Sequence, residues 1–178
     1  SVCERIGRAF AVVLNAKQVV VGRDVRETSA SFQESLCNGL ILEGVNVIDI
    51  GLCGTEEMYA AVSNYDACGG LIVTASHNPK NYNGLKMVKS NSQPLEPTRE
   101  FRKIKQIAEQ NSFSTNRPLG TVKNYSVNAR SKYVKNVINF CGLQNSRPLK
   151  ILVNFGNGSA GPTFNEIEKE FIKNGSGI

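Results

Sequence analysis

Val19 to Val21, Val45 to Ile50 and Gly69 to Thr74 are short apolar runs, and the segments between them carry apolar residues at helical spacing. This alternation constrains the fold more than any other feature, because it is the pattern that builds a sheet flanked by helices. Between the first two runs, Ser29 stands where it can cap a helix. Phe32, Leu36, Leu40 and Ile41 share one face of that helix, and Gly44 suits its C-terminal stop. After the second run, Gly51 and Gly54 mark a turn. Thr55-Glu56-Glu57 then offers a hydroxyl and two carboxylates to the start of a short helix ending near Val62. The third run leads into the polar loop Ala75 to Asn83, and Leu85 to Val88 returns as a strand, so the loop is displayed at a strand end.

The opening SVCERIGRAFAVVLNA reads as an amphipathic helix; Glu4, Arg5 and Arg8 interrupt what would have to be a signal sequence, and no apolar run is long enough to span a bilayer. A cytoplasmic protein is expected. Pro94 and Pro97 precede a helix near Thr98 to Gln110, and the polar, aperiodic Asn111 to Asn124 is read as a linker. Beyond it, Ala129 to Phe140 is helical by pattern, Lys150 to Phe155 is expected as a strand, and Gly156 to Pro162 is a glycine-rich turn opening another helix. A chain of 178 residues with 40% hydrophobic side chains accommodates one complete domain and part of another.

Cys3, Cys37, Cys53, Cys68 and Cys141 are odd in number and contain no C-x-x-C pair, which argues against a disulfide framework or a zinc site and for small buried hydrophobes. The net charge of +6 is uneven: eleven Lys or Arg lie between Arg99 and Lys150 against Glu100 and Glu109 alone. Such an excess favours an anionic partner. Nucleic acid is disfavoured, since a chain with 7% aromatic residues and no Trp lacks interleaved stacking side chains. A phosphorylated small molecule explains the charge equally well, and so does a solvated basic face with no ligand.

Thr74-Ala75-Ser76-His77-Asn78-Pro79, followed by Asn83-Gly84-Leu85-Lys86, gathers a nucleophile, the only histidine and an ammonium on one strand-loop-strand unit. A serine hydroxyl needs activation, and a phosphate on it would bring about −1.5 to −2 charge that calls for nearby cations. His77 and Lys86 are suited to proton transfer and charge compensation. On spacing alone, Ser76 and Asn78 are better suited to forming side-chain turns before Pro79 with no chemistry at all. A Ser-His-Asp triad fits poorly, because adjacent Ser76 and His77 point apart and no G-x-S-x-G elbow is present. Gly22-Arg23-Asp24-Val25-Arg26 follows the first strand and should reach the same strand-end face; there Arg23 is either a bidentate phosphate contact or part of a solvated turn. The turn from Asn157 to Pro162 matches neither common phosphate-loop spacing and suits a tight connection better.

Taken together, TASHNP with a downstream NGxK, preceded by GRDVRETS, resembles the α-D-phosphohexomutase family, whose serine donates and recovers phosphate. GTEE at Gly54 to Glu57, YNGLK at Tyr82 to Lys86 and GNGSAGP at Gly156 to Pro162 look most like its bacterial phosphomannomutases. The resemblance covers nearly the whole chain. It implies a three-layer helix-sheet-helix domain with a mixed sheet over residues 1–124, lacking its first strand, and the start of a second, similar α/β domain over 125–178. It also implies Ser76 as phosphocarrier and Mg²⁺ ligand through its phosphate, with Arg23, His77 and Lys86 around the reacting oxygens. The implied partners are a phosphorylated hexose, a hexose 1,6-bisphosphate activator and further C-terminal domains, with no nucleic acid and no membrane. Relatives acting on glucose or glucosamine phosphates share these motifs, and a non-catalytic basic module is the rival of another class. Asp24, Asp49 and Asp66 cannot form a D-G-D-x-D-R metal loop, so this chain alone is expected to show no mutase turnover.

Overall fold

A computed structural model describes residues 1–114, 116–142 and 150–173. In chain order the elements are α1 (Val2–Val13), β1 (Gln18–Arg23), α2 (Ser29–Leu42), β2 (Asn46–Leu52), α3 (Thr55–Asn64), β3 (Gly69–Val73), β4 (Leu85–Lys89), α4 (Arg102–Gln110), β5 (Val122–Asn124), α5 (Ser126–Cys141) and α6 (Ala160–Lys173). The sheet order is β4-β3-β1-β2-β5. β1 pairs in parallel with both β2 and β3, β5 is parallel to β2, and β4 alone runs antiparallel, against β3.

The two-residue alternation of the strands sorts the apolar residues into two cores. Val19, Val21, Val47, Leu71 and Val73 face Phe10 of α1, Leu36 and Leu40 of α2 and Ile104 of α4. Val20, Ile48, Ile50 and Ile72 face Met58, Ala61 and Val62 of α3 and Ala129 of α5. The result is the expected α/β arrangement of helix, sheet and helix layers, with the central strands β1 and β3 buried on both faces.

On the first face, α1 and α2 cross with their backbones in contact. A Cβ built on Gly39 would lie 2.1 Å from the Glu4 carbonyl oxygen, and one on Gly7 would lie 2.5 Å from that of Leu36. Only glycine fits either position. Below this crossing, buried Glu43 accepts Arg8 Nε at 2.8 Å and meets Arg117 Nη1 at 3.4 Å. Arg117 thus belongs to an internal ion pair, as do Arg99 with Glu96 and Glu100 and Arg130 with Glu57. Part of the basic excess is therefore structural.

Several local expectations differ from the structure. Thr28, not Ser29, occupies the α2 cap position, and Ser29 is the first helical residue, its hydroxyl donating to Asp24 instead. The helix expected from Thr98 begins as a wide turn over Pro97–Phe101, with α4 following. Asn111 to Asn124, read as a linker, ends in β5, whose side chains are exposed and so lack the apolar pattern of a strand; backbone pairing with β2 makes it one. Residues 150–155 form no strand: no neighbour among the described residues pairs with them, and Leu152 is 99% exposed. Of the thiols, Cys37 and Cys53 are buried, Cys3 and Cys68 are half-buried, Cys141 is exposed, and all are free.

Candidate functional site

Because β1, β2 and β3 are parallel, their C-terminal ends lie together, and the backbone bonds that close them show it. Asp24 N donates to the Val73 carbonyl at 2.9 Å, and Cys53 N donates to the Arg23 carbonyl at 2.9 Å. The chain leaves β1 towards β2 on one side, while β3 lies on the other. Crevices at such reversals are where open α/β sheets place their sites. An open cleft of about 710 Å³ lies there, lined by Asp24, Arg26, Thr74, Ser76, Gly158 and Ser159 among others.

Ser76 sits exposed at the lip of this cleft with φ of 53°, a left-handed backbone that a serine adopts only where its surroundings hold it. Local bonds begin that restraint. Thr74 Oγ1 accepts from Ser76 N at 3.1 Å, the Ala75 carbonyl accepts from Asn78 N at 3.0 Å and Asn78 Nδ2 at 2.8 Å, and Thr74 N donates to the Gly84 carbonyl at 2.9 Å. The turn-forming role of Ser76 and Asn78 and a chemical role for the Ser76 hydroxyl are compatible, since the turn uses backbone and Asn78 atoms and leaves that hydroxyl open.

Arg26 completes the restraint. Its Nη1 donates to the carbonyls of Pro79 at 2.7 Å and Tyr82 at 3.0 Å, its Nη2 to those of Ser76 at 3.0 Å and Asn78 at 2.7 Å, and its Nε lies 3.2 Å from Asp24 Oδ2. All four Nη–H donors are thus used on loop carbonyls, and the Nε side forms an ion pair with Asp24. Asp24 is held in turn. Burial alone would raise its carboxyl, but hydrogen bonds from the Ser29 hydroxyl, the Arg26 backbone and Thr74, with the Arg26 charge, keep it below the usual carboxylate range. Asn83 ties the far end of the loop to α2, its Nδ2 donating to Thr28 Oγ1 and Ser29 Oγ at 2.9 Å each.

Arg23, His77 and Lys86 are not among the residues that line this cleft. His77 is exposed beside Ser76. Lys86, exposed on β4, reaches Thr55 Oγ1 at 3.5 Å, which brings the start of α3 towards the loop. Arg23 turns elsewhere, lining a small groove with Gln33, Cys37, Asn38 and Asp49. The cation that touches the Ser76 loop is thus Arg26, two residues past an aspartate whose Oδ1 accepts from Arg26 N at 3.0 Å. An Asp followed two residues on by a donor is an Asx turn, and the D-x-R spacing was the signal for it. Among the described residues no group of three or more His, Cys, Asp or Glu gathers to hold a metal. Nor is any described helix long and apolar enough to cross a membrane.

Residues 1–115 match the family model for the phosphoglucomutase/phosphomannomutase α/β/α domain I. A phosphomannomutase of Escherichia coli is 45% identical over 174 residues, covering 96% of this chain and 38% of the relative. One of Vibrio cholerae serotype O1 is 42% identical over 174 residues, covering 95% of the chain and 37% of the relative. The chain therefore spans less than two-fifths of the curated relatives it matches. A phosphoglucomutase/phosphomannomutase family protein from Burkholderia thailandensis superimposes with a TM-score of 0.78 at 30% identity, covering 94% of this chain and 37% of that one. With the sheet order, the strand-end serine loop and the match over residues 1–115 in agreement, this chain belongs to the phosphoglucomutase/phosphomannomutase family.

Proposed function

We propose that Ser76 is the phosphocarrier of a phosphomannomutase that interconverts mannose 6-phosphate and mannose 1-phosphate through a hexose bisphosphate. The observation that carries this reading is the Ser76 hydroxyl itself, exposed at the cleft while its backbone is held in a left-handed turn by the Arg26 clamp. A group-transfer nucleophile needs this combination of fixed position and open access. In the forward half-reaction a sugar hydroxyl oxygen attacks the phosphorus on Ser76 and the P–Oγ bond breaks. The sugar's proton passes to a base at the lip, and Ser76 later recovers phosphate from the other end of the bisphosphate. His77 and Lys86 are the groups of this chain we assign to proton transfer and charge compensation. Arg23 would join them only by turning out of its groove, whereas the Nη groups of Arg26 are already taken by loop carbonyls.

Mg²⁺, when bound, would offset charge on the transferring group. This chain offers it the Ser76 phosphate oxygens but no gathered set of acidic ligands among the described residues, so its residues alone do not complete a metal site. We assign the remaining ligands and the sugar-discriminating contacts to the parts of the longer protein that this chain does not span. We accordingly assign the activity to the longer protein, acting in the cytoplasm to feed GDP-mannose and surface polysaccharide synthesis, and expect no turnover from the 178-residue chain alone. The test is turnover of mannose 1-phosphate, glucose 1-phosphate and glucosamine 1-phosphate by the full-length protein and its Ser76→Ala variant. Preference for the mannose ester, abolished by Ser76→Ala, is expected. Preference for another hexose would move the assignment within the family, and activity that survives the substitution would remove Ser76 from the reaction.

A further inference from the structure

Glu57 is only 7% exposed, and the proposed phosphoryl transfer makes no use of it. Its Oε1 accepts from Gly54 N at 3.1 Å and from the Thr163 hydroxyl at 2.7 Å, while its Oε2 lies 3.5 Å from Arg130 Nε. Arg130 Nη2 also donates to the Leu52 carbonyl at the end of β2. One carboxylate at the start of α3 is thus joined to α5 through Arg130 and to α6 through Thr163. A buried carboxylate needs such partners; here the Arg130 contact is an ion pair only, since Arg130 Nε makes no hydrogen bond, and the Thr163 hydroxyl and Gly54 N supply the hydrogen bonds.

Thr163 is itself 8% exposed and lies in the first turn of α6, directly after the glycine-rich turn. That turn is also closed on itself and packed on α6. Asn154 Oδ1 accepts from Gly156 N at 2.9 Å, the Phe155 carbonyl accepts from Gly158 N at 2.9 Å, and the Phe155 and Phe164 rings lie 5.4 Å apart. Gly158 and Ser159, within this turn, line the same cleft as Ser76.

We infer that Glu57 and Thr163 are positioning residues that hold the Gly158–Ser159 turn against the Ser76 cleft and so limit the access of water to a phosphate on Ser76. The inference rests on the phosphocarrier reading. Two reactions compete for the phosphoserine. In transfer, a sugar hydroxyl oxygen takes the phosphoryl group. In the leak, a water oxygen attacks the same phosphorus, the P–Oγ bond breaks, and one proton of the water ends on Ser76 Oγ, giving serine and inorganic phosphate. A displaced turn admits water without removing any group that touches the sugar, so the ratio of leak to transfer is the sensitive quantity.

The experiment uses the full-length protein labelled on Ser76 from a ³²P-hexose bisphosphate and freed of sugar. Release of inorganic phosphate and transfer to mannose 6-phosphate are then timed in parallel. Thr163→Val, which removes one buried hydroxyl at nearly constant volume, is expected to raise the leak-to-transfer ratio about tenfold. Thr163→Ser is expected to restore it. Should Thr163→Val fail to fold, Glu57→Gln gives a second reading: it keeps an acceptor for Thr163 but leaves Arg130 without its counter-charge, and its ratio is also expected to rise. A folded Thr163→Val or Glu57→Gln protein with the wild-type ratio overturns the inference while leaving the phosphocarrier reading intact. Wild-type protein that takes no label on Ser76 overturns that reading and the inference with it.

Discussion

The Arg26 guanidinium donates to the Ser76 carbonyl at 3.0 Å, and its other Nη–H groups go to Asn78, Pro79 and Tyr82 while its Nε forms an ion pair with Asp24. One residue past β1 thereby fixes a whole loop past β3. A lysine cannot reproduce this, since a single ammonium has three donors and no planar fork. Arg26→Lys in the full-length protein should lower kcat by about 100-fold, the scale expected when a reacting group is displaced by an ångström or so. KM should change far less. Unchanged kcat would mean that the clamp does not set the position of Ser76.

The Asp24 carboxyl, held below its usual range when folded, gives the clamp a pH dependence of known sign. A depressed carboxyl contributes stability that is fully present above its unfolded value, about 3.9, and is lost as pH falls through the lower folded value. Proteolytic cutting within residues 76–82 should therefore accelerate as pH drops below about 4. Asp24→Asn should show fast cutting already at neutral pH. A loop equally resistant at pH 3 and pH 7 would contradict the assignment.

The α1–α2 crossing predicts a backbone-sensitive position far from the cleft. Gly39→Ala puts a methyl 2.1 Å from the Glu4 carbonyl oxygen, so the helices must part. Overpacking of this kind costs roughly 1–3 kcal/mol. Urea unfolding of the two proteins side by side checks it, and equal midpoints would show that the crossing yields freely.

Thiol reactivity should follow burial. Cys37 and Cys53 are pushed up to about 12 by desolvation and neighbouring carboxylates, while Cys141 is exposed. Since the thiolate is the reactive form, a disulfide reagent at pH 8 should modify Cys141 rapidly and Cys37 and Cys53 only on unfolding. Early labelling of Cys53 would mean that the strand ends open in the native protein.

The sequence made the central architecture legible because β1 and β3 are buried on both faces and therefore written as apolar runs. β5 was not legible: Val122-Lys123-Asn124 is exposed on every residue, and its pairing with β2 is a backbone property that leaves no apolar pattern. Lys150 to Phe155 shows the converse, an apolar run whose strand pattern finds no pairing partner among the described residues. At the site, the sequence marks Ser76 and His77 as residue types in a loop and Lys86 on the strand that follows it. The Asp24-x-Arg26 spacing signals the Asx turn, but the reach of Arg26 to carbonyls 50 to 56 positions away is a tertiary property that neighbouring sequence does not record. The Glu57–Thr163 contact joins residues 106 positions apart, beyond the reach of any local pattern.

The most direct measurement is a peptide-level mass analysis of Ser76 in the full-length protein after exposure to Mg²⁺ and a hexose bisphosphate. The account predicts a phosphate on Ser76 that disappears when mannose 6-phosphate is added and is never seen in Ser76→Ala. A folded protein whose Ser76 stays unmodified under these conditions would contradict it.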